Sequence, residues 1–200
     1  MADEKLDRSF CFLSLSENYL LLVRNVLKET IKQGNIWVVL GDKKNTEKIY
    51  INKTKWSDFN IIIPILFNFY HGLELLMKGL LSLIDNYELK NSHDIKEMLE
   101  DFRYNYIKNM EIINILNKYI DSNSMPKIFS ECLKENNISV NKFYIFLKYP
   151  TDKNISKMYN YFELRYNEEE GLSLFKGIVD DVDFLMPEVV KIYREKESKR

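Results

Sequence analysis

The stretch Phe69-Tyr70-His71-Gly72-Leu73-Glu74-Leu75-Leu76-Met77-Lys78-Gly79-Leu80-Leu81 is apolar almost all round when wound as a helix, which is the pattern of a helix buried on several sides. A chain with such a helix at its centre is organised as a helical bundle around it. The polar residues that interrupt the apolar surface are informative for the same reason. At about 100° per residue, Pro64, His71, Glu74, Lys78, Ser82 and Asp85 fall on one stripe within an arc of roughly 80°. Glu74 and Lys78 stand four apart in the order that favours an ion pair, and His71 is three before Glu74, so the three can touch on the helix itself. Gly72 and Gly79 lie one heptad apart beside the stripe, where missing side chains let a neighbouring backbone come close. Two readings of the stripe stay open. It is either the strip of this helix that meets solvent, with an ordinary surface ion pair that contributes little, or a polar seam facing another helix or a dimer partner, with His93 nearby and an imidazole able to titrate near neutral pH.

Working outward, Tyr19, Leu20, Val23, Leu27 and Ile31 recur at helical spacing over about 15–33, and Gly34 sits where a helix C-cap belongs. Residues 36–40 and 48–51 are rich in β-branched and aromatic side chains and flank the turn-like 41–45, which predicts a small hairpin. The central helix is expected to start between 57 and 63 and to run to about 84, with a kink if Pro64 lies beyond its first turn. A third helix is expected after Asn91-Ser92, either of which can cap. Asp94 and Glu97 then sit in its first turns, and it continues through Leu99, Phe102, Tyr106 and Met110 to about 120. A short helix over 126–135 is opened by Pro126 and ended by Asn136-Asn137. The stretch 141–148 is ambiguous, 155–162 reads as another short helix and 163–167 as a connection, and a final helix from about 169 is bent or divided at Pro187. The expected architecture is mainly α: one domain over 1–200, an up-and-down helical bundle with its core at about 11–190, a β-hairpin insertion near 36–51 and a charged tail at 191–200.

Hydrophobic residues make up 46% of the 200 and charged residues 30%, close to globular averages, so a packed domain is expected rather than disorder. Lys and Arg number 29 against 30 Asp and Glu. No global positive field therefore draws the chain to nucleic acid or anionic membrane, and any RNA contact must be local. Cys11 and Cys132 are distant in sequence and outside any CxxC pair, which argues against a disulfide framework and for core thiols in a reducing cytoplasm. The mixed charges of the N-terminal decad are unlike a signal peptide. The longest uninterrupted apolar runs fall far short of the roughly 20 residues that span a bilayer as a helix, so no membrane segment is expected.

The segment His71 to Leu81 (HGLELLMKGLL), a polar turn and then His93 to Leu99 (HDIKEML) together resemble the HEPN family, helical domains of prokaryotic toxin–antitoxin and phage-defence systems. Members often carry a helix of the form xxxElxlKxlL, then a loop and a helix that begins with His; Glu74, Lys78, Leu81 and His93 stand at those positions. Tyr161-Phe162-Glu163-Leu164-Arg165-Tyr166 is similar to the segment before the family's closing helix. The resemblance covers about two thirds of the chain and is strongest over 67–99. It implies the helical fold, a homodimer, an RNA or nucleotide ligand, and an antitoxin or other protein partner. The family's active ribonucleases use an Arg followed by His after four to six residues, and this chain lacks that motif. Its only histidines are His71 and His93, the upstream Arg8 and Arg24 are too far away, and Arg103, Arg165, Arg194 and Arg200 have no His after them. A divergent member with weak or absent catalysis is therefore expected.

The candidate polar site is His71, Glu74, Lys78 and His93, with Arg165 and Tyr166 as a phosphate contact and a stacking face. A competing class is an interaction protein in which the same residues brace the bundle. A metal-binding four-helix enzyme is less favoured, because His71-x-x-Glu74 reverses the usual Glu-x-x-His order and has no second copy. No metal site and no cofactor is expected. Neither cysteine sits in a His-paired nucleophile motif, and phosphate-cradling glycine loops are absent. The 13 Tyr and 12 Phe, scattered at helical spacing, read as core. Asp180, Asp181 and Asp183 read as a solvated face.

Overall fold

A computed structural model describes residues 2–36, 38–39, 46–89, 92–149 and 168–199. The described residues form helices α1 (Ala2–Gln33), α2 (Thr46–Thr54), α3 (Asp58–Leu81), α4 (Ile95–Asn105), α5 (Met110–Ile120), α6 (Lys127–Asn136), α7 (Val140–Lys148) and α8 (Glu168–Glu197). The architecture is a mainly α bundle with α3 at its centre, in contact with α1, α4 and α7, while α8 lies along α1.

α3 forms where its sequence is least ambiguous. Ser57 is the N-cap, in extended backbone, and Asp58 in the first turn complements the positive end of the helix dipole. Pro64 lies inside the helix rather than in its first turn. Beyond it, Ile65, Leu66, Phe69, Tyr70, Leu73, Leu76, Met77, Leu80 and Leu81 are all buried. The stretch Thr46–Leu81 is long and apolar enough to cross a membrane, and 56% of its most apolar window is buried within the fold. Its apolarity is accounted for by that central position.

α1 and α3 run antiparallel along a stripe of small residues. The Ser9 hydroxyl donates to the Gly79 carbonyl and that of Ser16 to the Gly72 carbonyl, each at 2.8 Å, and Thr30 donates to the Trp56 carbonyl at 2.8 Å. Ser9, Ser16 and Thr30 share one heptad register, which keeps them on one face of α1. A Cβ on Gly72 would stand 2.7 Å from Leu20 Cγ, and one on Gly79 would stand 2.5 Å from Leu13 Cδ2. The two glycines thus set the depth to which α1 sinks into α3.

Several expectations need correction. No strand occurs among the described residues: Ile36, Val38 and Val39 have no regular structure, and 48–51 lie in α2, with Ile49, Tyr50 and Ile51 exposed. Trp37 and 40–45 lie outside the described residues. α1 starts near the N-terminus rather than at about 15. The expected third helix is two. Asp94, not Asn91 or Ser92, caps α4 by accepting from the Lys96 and Glu97 backbone N–H groups, and the chain breaks at 106–109 before α5. At that break the Tyr106 hydroxyl donates to the Leu80 carbonyl at 2.5 Å, which turns the ring into the core instead of along a continuing helix. The short helix holds: Pro126 is the N-cap of α6, and Asn137 ends it in the left-handed region. The ambiguous stretch is helix α7, capped by Ser139. α8 continues through Pro187. The short helix and connection expected at 155–167 lie outside the described residues. Cys132 is buried, its thiol pushed up to about 12 by desolvation, whereas Cys11 is exposed and not a core residue.

Candidate functional site

The middle of the polar stripe does not meet solvent. Glu74 is 1% exposed, and Lys78 and Ser82 are also buried; Pro64 and Asp85 at the ends are exposed, and His71 is partly so. The solvent-strip reading is therefore overturned, and the stripe is a seam closed by the start of α4 and by α7.

Glu74 is the centre of that seam. Its Oε1 accepts from Lys78 Nζ at 2.5 Å and lies 2.9 Å from His93 Nδ1. Its Oε2 accepts from the Tyr144 hydroxyl at 2.5 Å. His71 Nδ1 is 3.6 Å from Oε2, beyond hydrogen-bond reach, but 2.8 Å from the Tyr144 oxygen, so its tie to the carboxylate runs through the tyrosine. The residues come from three elements: α3 supplies His71, Glu74 and Lys78, α7 supplies Tyr144, and the turn before α4 supplies His93.

Burial alone pushes the Glu74 carboxyl up. The neighbouring His71, the Lys78 ammonium and the Tyr144 hydroxyl outweigh that and hold it well below the usual carboxylate range. The Tyr144 hydroxyl is raised by burial and by the adjacent Glu74 charge, so it remains a proton donor.

The proton positions follow from these states. An ionised carboxylate only accepts, so His93 presents Nδ1–H to Glu74. The single Tyr144 proton points at Glu74, so the Tyr144 oxygen accepts from His71 Nδ1–H. Both imidazoles therefore carry the proton on Nδ1, and in the neutral ring Nε2 is left with a free lone pair. Neither Nε2 has a hydrogen-bond partner among the described residues. His71 is 20% exposed and His93 56%. The His71 ring is also fixed sideways: the Phe67 ring stacks on it with centroids 5.6 Å apart, and Tyr19 of α1 meets it edge-on at 4.8 Å.

Such an arrangement can accept or deliver a proton at either Nε2, or donate to a phosphate when the rings are charged. Among the described residues, no group of three or more His, Cys, Asp and Glu side chains is placed to hold a metal ion. No known protein family, curated protein or solved structure matches this chain.

Of the residues singled out from sequence, His71, Glu74, Lys78 and His93 are brought together, and Arg165 and Tyr166 lie outside the described residues. Sequence reasoning missed Tyr144, whose partner is 70 positions away, and Tyr19 and Phe67, which sit among many aromatics at core spacing. The helical spacing of Val140, Phe143, Tyr144 and Leu147 was the available signal for a buried Tyr144, but nothing local tied it to Glu74. Asp181 and Asp183 are not a simple solvated face either: Asp181 accepts from Lys118 and Tyr119, and Asp183 pairs with Arg24 and Lys28.

Proposed function

We propose that this chain is a HEPN-like helical bundle that associates with RNA or a nucleotide through the rim of the Glu74 cluster, with weak or absent catalysis, in the cytoplasm of a cell using it for defence or as half of a toxin–antitoxin pair. The observation that carries the ligand site is the use of the histidines. The only two in the chain are tied to one buried carboxylate, His93 directly and His71 through the Tyr144 hydroxyl, with their Nε2 atoms without a partner among the described residues. A fold that needed only a braced core would be served by the Lys78–Glu74 pair and Tyr144. The homodimer, the protein partner and the biological setting rest on the resemblance of 71–81 and 93–99 to that family.

The test is a fluorescence titration of labelled single-stranded RNA with wild type, His71→Asn and His93→Ala. Asparagine can keep a donor at the Nδ1 position while removing Nε2, so folding is expected to stay within about 1–2 kcal/mol of wild type. Affinity is expected to fall about tenfold or more in both variants. Unchanged RNA affinity in both would sink the site.

One observation favours the second reading, an interaction module. Tyr104, Ile107 and Met110, around the turn between α4 and α5, are large and exposed. Under that reading the histidine variants leave function intact, and Tyr104→Ser with Ile107→Ser abolishes it.

A further inference from the structure

α2 and the start of α3 lie at one end of the bundle, and their apolar side chains are placed unlike those of the central helix they lead into. Most apolar residues of α3 are buried, whereas in α2 only Thr54 is. Ile49, Tyr50 and Ile51 are exposed, and so is Phe59 in the first turn of α3. We propose that this end of the molecule docks on an anionic lipid bilayer, with α2 entering the interfacial layer, separate from the histidine rim and independent of the RNA reading.

The directions of the apolar side chains select the partner. Ile49, Tyr50 and Ile51 are consecutive, so at about 100° per residue they point to three sides of α2. A protein groove takes one face of a helix and is met by a stripe at i, i+3, i+4 and i+7, which α2 does not have. A nucleic-acid backbone would take the lysines of this end and leave both isoleucines in water. A bilayer surrounds whatever enters it, and apolar burial there has no preferred direction.

The charge of this end has the sign an anionic surface requires. Over 46–60 the bases are Lys48, Lys53 and Lys55, all exposed, and the acids are Glu47 and the buried Asp58. Lys48 and Lys53 have no ion-pair partner among the described residues. Lys55 lies over the Trp56 ring at 5.9 Å, and the Glu29 charge it feels is already engaged by Lys32 at 3.6 Å and Gln33 at 2.6 Å. Lysine stems lie along apolar surface while their ammonium groups stay at the headgroups. The near balance of charge over the whole chain does not oppose docking, because fields are screened within about 8 Å at physiological salt and the local balance decides.

The base of this end is fixed to the bundle. Thr30 of α1 donates to the Trp56 carbonyl, the Asp58 backbone N–H donates to the Asn35 side chain, and the Asn60 amide donates to the Thr54 carbonyl, each at 2.8 Å. α2 is therefore held out from the bundle by its C-terminal end.

Co-sedimentation of the full chain with vesicles tests this, using phosphatidylcholine alone or with about 30% phosphatidylglycerol. The variants are Ile49→Ser/Ile51→Ser, Lys48→Gln/Lys53→Gln and His93→Ala. All four α2 side chains are exposed, so both double variants are expected to fold, and their thermal transitions check that. The supporting result is binding to the anionic vesicles that is about tenfold or more weaker on neutral ones, falls about tenfold or more in each double variant, and is unchanged in His93→Ala. Absence of binding to anionic vesicles at millimolar lipid overturns the proposal. So does binding that either double variant retains in full, because charge alone or apolar contact alone would then hold the chain. Loss in His93→Ala would place the contact at the histidine rim and overturn this surface. Self-association by light scattering that the isoleucine variant abolishes, with no vesicle binding, would assign this end to a second copy and overturn the lipid reading.

Discussion

Replacing Glu74 by glutamine keeps the side chain's shape and removes its charge, which leaves the buried Lys78 ammonium without a counter-charge and gives His93 and Tyr144 a weaker acceptor. Breaking one partner of a buried pair costs about 3–5 kcal/mol, and Glu74→Gln is expected to lose an amount in that range by urea denaturation at pH 7. The same residue sets an acid limb. The folded carboxyl lies below its usual range, and the unfolded one titrates near about 4.3. The unfolded state therefore binds the proton first, and stability falls with pH. The contribution is fully present above about pH 5 and is lost progressively as pH drops from there toward the folded value. Between pH 6 and pH 3.5, wild type is expected to lose more stability than Glu74→Gln; parallel curves would show that Glu74 is not the group responsible. At this scale the sequence was legible wherever partners share a helix. The spacing of His71, Glu74 and Lys78 placed them together, but spacing cannot report burial, which is why a surface strip and a buried seam looked alike.

At the scale of elements, the α1–α3 contact opposes two effects of known size. Gly→Ala inside a helix gains about 1 kcal/mol from propensity, while an added methyl in a filled core costs about 1–3 kcal/mol. At Gly79 the new Cβ would stand 2.5 Å from Leu13 Cδ2 and also 3.3 Å from the Leu13 backbone nitrogen, so moving the side chain alone does not relieve the contact. Strain is expected to win, and Gly79→Ala should lower stability by about 1–2 kcal/mol, read as a lower thermal midpoint. A rise would mean that α1 sits less deeply than its bonds from Ser9 and Ser16 indicate. The helical periodicity that identified α1 and α3 succeeded because both bury a continuous face. Composition misled at 48–51, where Ile49, Tyr50 and Ile51 are all exposed and β-propensity, worth only about 1 kcal/mol and dependent on a strand to pair with, has no partner strand among the described residues. Periodicity ran α4 and α5 together, because Tyr106 belongs to the core in either case and only its bond to the Leu80 carbonyl shows that the chain has turned.

Across the whole molecule, α8 is fastened at two acids that local sequence presents as equivalent. Asp181 is 17% exposed and holds Lys118 at 2.7 Å and the Tyr119 hydroxyl at 2.5 Å. Tyr119 is fully buried and in turn accepts at its carbonyl from Tyr70. Burial, followed by the Asp181 charge, keeps the Tyr119 hydroxyl protonated, so removing its acceptor strands a buried donor at about 1–3 kcal/mol. Asp183 is 40% exposed and pairs with Arg24 and Lys28 at the surface of α1, where such pairs contribute under about 1 kcal/mol. The partners lie about 60 and 155 positions away, so only the assembled bundle separates the two roles. Asp181→Ala is accordingly expected to lower the thermal midpoint clearly and by the same amount in low and high salt. Asp183→Ala should produce a small loss that disappears in roughly 0.5 M NaCl, as screening removes the exposed pairs. Equal losses from the two variants, or a salt-sensitive loss at Asp181, would mean that α8 is held by surface charge rather than by the Tyr119 anchor.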